Sequence, residues 1–409
     1  VSNFPDVPDF ANMGEDIEIP KPPEGWWEQV PVLNELYKLL SSTEPVNWEL
    51  ARQVGVALAS YDEPPTDAAA HQQELEAITR AAAVEAEAFS GLTAGSVADV
   101  RTVTRAQWVE ANIETFRFVM NPLASKLSSG GTDMPLPMQA TQILSQISGV
   151  FMGLQTGFVL GYMGQNVIGQ YELALPAPTP PQLLYVVPNL EQMEKDWSLD
   201  PKQFRYWIAL HEITHHLEFS RPWVQQYFRS QLKTLIDSLD FDPNRMQSAF
   251  EGLEMLDPER MAEALSDPER LIQAARTPLS GDATERLQAF MTLAEGYATF
   301  VMDAVGAKLL SDHARLKEAM ERRRQSVSPG DALFERLLGL ELKRRQYEDG
   351  VKFCRYVAGM HDVESLNRAW ENPETLPTLA ELAQPDLWIT RVLEAERSDV
   401  SPEDIGGES

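Results

Sequence analysis

Apolar residues recur at three- and four-residue spacing through most of this chain, the pattern of helices with one buried face. Residues 1–25 lack it. They are rich in Pro, Asp and Glu and read as an extended arm. Two short helices are expected at 26–40 and 46–61, with Glu44-Pro45 as the break. The Ala/Glu-rich stretch 68–89 is helical with a thin apolar face, which predicts a surface position. Residues 105–127 form a longer amphipathic helix on which Trp108, Ile113, Phe116, Val119, Met120 and Leu123 fall near one stripe; Ser128-Ser129-Gly130-Gly131 ends it. Two β-type runs, 171–175 and 183–187, flank the loop PAPTPP, and Pro188-Asn189 closes the second. They predict a hairpin, or two strands of a small sheet. Further helices are expected at 223–239, 283–305, 308–325 (charged and solvated) and 331–358. Asp-Pro pairs cut 240–282 into short helical pieces, and 359–397 holds a short helix, a Pro-rich turn and a last helix. The tail 398–409 reads as disordered. There is no internal repeat.

One stretch departs from this rhythm. Residues 134–171 carry no charge, and Gly149, Gly153, Gly157 and Gly161 recur at every fourth position. On a helix they form a smooth stripe that lets a second helix approach closely. Each glycine costs about 0.5–1 kcal/mol of helix stability relative to alanine, so four of them require a packing reason. The length would suffice to span a membrane. However, Gln142, Gln146, Gln155, Gln165 and Asn166 lower the hydropathy, and no Lys/Arg flank adjoins the run. The expectation is a buried central helix.

The candidate chemistry lies in residues 204–219, FRYWIALHEITHHLEF. Asp200 in the N-cap position and Pro201 in the first turn mark the start of a helix, and Arg221-Pro222 ends it. His211 and His215 are four residues apart, so both imidazoles lie on one face and can reach one metal ion. Glu212 is placed to reach water beside that ion, the arrangement of a zinc hydrolase. A bare H-E-x-x-H arises by chance in roughly one protein of this length in a hundred, but rarely on a capped helix with both histidines inward. Phe204, Trp207, Ile208, His211, His215 and Glu218 share the inward stripe. His216 turns toward the Glu212 side, where a supporting or surface role is expected. His71, His313 and His361 have no metal-like spacing and read as structural or exposed.

A catalytic zinc takes three protein ligands. The longer pattern with a histidine six residues on fails, because position 221 is Arg. Glu295, in TLAEGYATFVMD, is the best candidate. It shares a stripe with Leu287, Met291, Ala298 and Met302, and a carboxylate on an apolar face is expensive unless paired or bound to metal. Gly296 beside it allows close approach of another helix or of substrate. Glu251, Glu254 and Asp303 stay open as alternatives. Glu212 is the expected general base. An oxyanion donor is sought in Tyr347 or Arg345, within KRRQYEDG, or in Tyr297, each of which reads equally as a packing or surface residue.

The 409 residues suffice for two or three average domains or one large one. The net charge of −28 argues against nucleic acid or an anionic membrane as partner. Cys354 is the single cysteine, so no intrachain disulfide forms and any metal site must use His and carboxylate. The opening VSNFPDVPDF has neither a basic nor an apolar signal-peptide region, and a cytoplasmic location is expected. It lacks an initiator Met, so an upstream targeting segment stays open.

The segments HEITHHLEFSRPW, GQYELALP with YVVPN, TLAEGYATFVMDAVG and LELKRRQYEDGVKF together resemble an uncharacterised bacterial zincin-like family. Its members carry labels such as zinc-dependent metalloprotease or hydrolase, and coenzyme F-four-twenty biosynthesis-associated protein. The resemblance spans roughly residues 135–395. It implies a zincin-like core embedded in a large helical domain. It also implies one zinc ion held by His211, His215 and Glu295, with Glu212 as base.

The overall expectation is a mainly α protein with a small β-sheet or hairpin. A helical region with an extended arm would occupy 1–130, the catalytic region 131–397 and a tail 398–409. The substrate would be a peptide or a small amide. The competing readings are hydrolysis of a small non-peptide amide or ester, and a non-catalytic helical protein with a structural metal site.

Overall fold

The structure, a computed structural model, describes residues 44–95, 99–129, 138–171, 182–238, 281–325 and 344–395, all within the unit Thr43–Ser409. In chain order its main elements are α1 (Trp48–Ala59), α2 (Gln72–Ser90), β1 (Asp99–Val103), α3 (Arg105–Ser129), α4 (Met138–Asn166), β2 (Gly169–Tyr171), β3 (Gln182–Val186), α5 (Val187–Asp196), α6 (Pro201–Phe219), α7 (Pro222–Ser238), α8 (Asp282–Leu309), α9 (His313–Gln325) and α10 (Arg344–Met360). Short helical turns follow to residue 394. The architecture is mainly α with a small sheet. The expected arm 1–25, the helix at 26–40, the segment 240–280 and the tail 398–409 lie outside the described residues.

The sheet has the order β1-β3-β2. β3 pairs antiparallel with β2 and parallel with β1. Its residues Leu183 to Val186 are fully buried, because both faces are covered by helices. Leu183 and Tyr185 join the core with α2, α6 and α8; Leu184 and Val186 join a second core with α1, α3 and α4. Strand pairing therefore runs across residue 130. β1 was not expected from the sequence. Its DVRTV exposes Asp99 and Arg101 and buries only Val100 and Val103, so the hydrophobic signal is weak. Its outer edge is closed by a side chain. Gln72 Oε1 accepts from the Thr102 backbone N–H at 2.9 Å, and Gln72 Nε2 donates to the Val100 carbonyl at 2.6 Å.

The glycine stripe of α4 faces α1. A Cβ at Gly153 would lie 2.5 Å from the Asn47 carbonyl oxygen, and one at Gly157 would lie 2.8 Å from that of Ala51. Asn47 donates its N–H to the Gly149 carbonyl at 2.8 Å, while its side chain caps α1 by accepting from Leu50 N–H at 3.0 Å. The cost of the glycines is thus offset by backbone-to-backbone packing. Among the described residues no helix is long and apolar enough to cross a membrane.

One expectation is corrected here. α2 is not a surface helix: Leu75, Thr79, Ala82, Ala86 and Ser90 are buried, and the helix packs against α6. Its small side chains permit close approach, so a thin stripe suffices to bury a face. The hydroxyls of Thr79 on α2 and Tyr185 on β3 meet at 2.8 Å.

Candidate metal centre

Helix α6 starts as its residues dictate. Asp200 accepts from Gln203 N–H at 2.9 Å, and Pro201 occupies the first turn. The first half of the helix is fixed by a buried arginine. Arg205 makes a two-pronged bond to Glu194 of α5 at 2.7 and 3.0 Å, and donates to Glu74 of α2 at 2.8 Å. His71 belongs to this anchor: its Nδ1 lies 2.9 Å from Arg205, and its Nε2 3.1 Å from Glu191. It is structural, as its position in the sequence suggested.

One turn further along, the face of α6 opens. His211 and His215 are partly exposed, and their Nε2 atoms lie 3.2 Å apart with the rings edge to face. Glu295 arrives from α8, with one carboxylate oxygen 3.9 Å from His211 Nε2 and the other 3.7 Å from His215 Nε2. These three groups are brought together from segments far apart in the chain, and among the described residues they form the cluster able to hold a metal ion. Two ligand atoms at tetrahedral positions around zinc are about 3.3 Å apart, since each bond is about 2.0–2.1 Å. The spacing and the donor types both fit that ion.

α8 is positioned for this by a backbone crossing. A Cβ at Gly296 would lie 2.4 Å from the Gly350 carbonyl carbon on α10, and one at Gly350 would lie 2.2 Å from the Thr292 carbonyl oxygen. Gly296 therefore serves helix approach, the first of the two uses open to it from the sequence.

Carboxylates surround the two histidines. His215 Nδ1 lies 2.8 Å from Glu218, whose side chain is fully buried. Burial lowers the His215 pKa, but Glu218, with Glu295 and Glu212 behind it, overrides this and pushes it up to about 9. Burial also pushes Glu218 up to about 7, against the pull of His215. Glu212 is buried on the neighbouring side of the helix, beside strand β2. A Cβ at Gly169 would lie 2.8 Å from Glu212 Oε1, so a larger residue there would push the carboxylate aside.

The other candidates go elsewhere. Tyr297 is fully buried, and its hydroxyl donates to Asn367 at 2.7 Å, which in turn donates to the Ser90 carbonyl at 2.6 Å. That proton is committed within the core rather than offered at the cluster. Asp303 is engaged by Lys317 and Arg355. His313 packs against Trp207 with ring centroids 5.0 Å apart and the planes tilted by 44°. His216 is buried rather than on the surface. Tyr347 and Arg345 lie on α10 with side chains outside the described residues, as do Glu251 and Glu254 altogether. Two residues escaped the sequence reading. The part of Glu218 was legible only as a carboxylate three residues after a histidine, on the inward stripe. Gly169 gave no signal.

Comparison with known proteins gives two similarities. The model of a family described as zincin-like metallopeptidase matches residues 46–389. A solved structure from Chloroflexus aurantiacus, described as a candidate hydrolase with a novel fold, is similar over 85% of this chain and 98% of its own, with 28% identity and a TM-score of 0.62. No curated protein matches the chain. Both similarities point to a hydrolase.

Proposed function

Since this chain belongs to the zincin-like metallopeptidase family, we propose that it is a zinc-dependent hydrolase of peptide bonds. His211, His215 and Glu295 would hold the ion, and Glu212 would act as general base. The observation that carries this reading is the convergence of two imidazole Nε2 atoms and a carboxylate within 4.8 Å of one another, beside a buried glutamate. A zinc ion bound there supplies Lewis acidity toward a carbonyl and makes water acidic near neutral pH.

The chain's own residues supply the rest. Glu212 accepts the proton of the attacking water and delivers it to the leaving amine. Gly169 keeps the space beside Glu212 Oε1 clear. The peptide reading rests on β2. Val186 N–H donates to the Ile168 carbonyl at 2.9 Å, so these two residues form the hydrogen-bonded pair of the antiparallel ladder. The next residue, Gly169 opposite Tyr185, must then direct its N–H and C=O away from β3. An extended peptide adding to that edge would run past Glu212. Tyr347 stays the candidate oxyanion donor.

The test is zinc content and cleavage of a peptide library. Unit zinc stoichiometry is expected, with cleavage that disappears in Glu212→Gln while the zinc is retained. A protein purified without chelator that contains no zinc would refute the proposal. Retained cleavage in Glu212→Gln would remove the glutamate from its role.

A further inference from the structure

We infer that Glu218 is the positioning residue of the metal centre: it holds His215 with the proton on Nδ1 and the lone pair of Nε2 turned toward His211 and Glu295. The inference rests on the metal-centre reading above and deepens it. A carboxylate this deep is rare, because burying the charge is costly unless it is paired. The side chain of Glu218 has no solvent exposure, and one of its oxygens meets His215 Nδ1 at 2.8 Å. Its other oxygen, Oε1, is buried with no hydrogen-bond partner among the described residues.

A carboxylate kept only to stabilise the core would be expected to use both oxygens, as Glu194 does with Arg205. Glu218 instead spends its one interaction on the imidazole. It cannot reach a substrate, since it is sealed beneath His215. Its effect must therefore pass through that ring. A carboxylate accepting from Nδ1–H fixes the tautomer, fixes the ring orientation and raises the basicity of Nε2, which faces His211 Nε2 at 3.2 Å. The spacing of α6 provides this without a second element, because residues 215 and 218 lie three apart on one helical face. One helix thus carries two ligands, a base and the group that orients one of the ligands.

The experiment is zinc affinity measured by chelator competition on the purified full chain, for wild type, Glu218→Gln and Glu218→Met. Glu218→Gln keeps the shape and removes the charge. Glu218→Met removes the hydrogen bond as well while keeping a similar volume, and the partly exposed His215 can stay neutral beside it. The expected result is zinc binding about 10–100-fold weaker in both variants. Loss of a merely structural ion pair would lower the metal-free thermal stability of these variants but leave the zinc affinity of the folded protein unchanged. Unchanged zinc affinity in either folded variant would overturn the inference while leaving the metal centre standing. A wild type that takes up no zinc would overturn both. Cobalt(II) substitution adds an independent readout. The visible spectrum should change between wild type and Glu218→Gln, and identical spectra would count against a role through His215.

Discussion

The two edges of the three-stranded sheet are treated in opposite ways. At β1 the outward backbone groups are taken up by the side chain of Gln72, which both accepts from Thr102 and donates to Val100. At β2 the residue beside Glu212 is a glycine, and its backbone groups turn away from β3. An open edge is a hazard for a soluble protein, and proteins ordinarily blunt it. Among the described residues, one edge is closed by a glutamine and the other presents the backbone of Gly169 beside Glu212, so the proposed function would sit at the edge that is not closed by a side chain.

Four expected outcomes bear on that contrast. The largest is beside β2: if the proposed function holds, Glu212→Gln should lower peptide cleavage by about 10²–10⁴-fold with zinc content unchanged. Next, Gly169→Ala should lower kcat by about 10²-fold, because the added Cβ would sit 2.8 Å from Glu212 Oε1 and displace it. Wild-type rates in that variant would mean the edge does not position the base. The third concerns the pocket beneath. Without metal, both His215 and Glu218 have raised values, about 9 and about 7, so the folded state holds protons that the unfolded chain releases. Metal-free stability should then fall as pH rises through this window. Zinc must displace the His215 proton, so its affinity should strengthen by up to about tenfold per pH unit until about 9. Calorimetry in buffers of different ionisation enthalpy would detect the released proton. The smallest effect is at the closed edge. Gln72→Ala should cost about 1 kcal/mol of stability in urea unfolding and leave kcat unchanged. A loss of activity there would dissolve the contrast between the edges.

What could be read from the sequence follows from where the information is local. The start of α6, the shared face of His211 and His215, and the close packing of the α4 glycines are set by residues three or four apart. Periodicity exposes them. Glu295 was legible because a carboxylate on an apolar stripe needs a reason. β1 was not legible, because an edge strand with two buried residues in five looks like a loop. α2 was misplaced for a related reason: alanines bury a helix by proximity, not by bulk. Gly169 owes its importance to a side chain more than forty positions later, which no local pattern encodes. Tyr297 misled because adjacency in sequence to Glu295 is not adjacency in space: one step along a helix turns a side chain by about 100°, here into the core against Trp370.

The crossing of Gly296 and Gly350 has a bearing on timing. The second histidine is residue 215, the third donor is residue 295, and the helix that seats the latter begins at Arg344. During synthesis the chain emerges from its amino end, so the histidine pair is complete long before its carboxylate partner can be clamped in place. Until α10 has emerged and its glycine backbone has met that of α8, the nascent polypeptide holds half a site. Completion of the proposed site is thereby deferred until α10 is made, well after the segment that supplies both histidines.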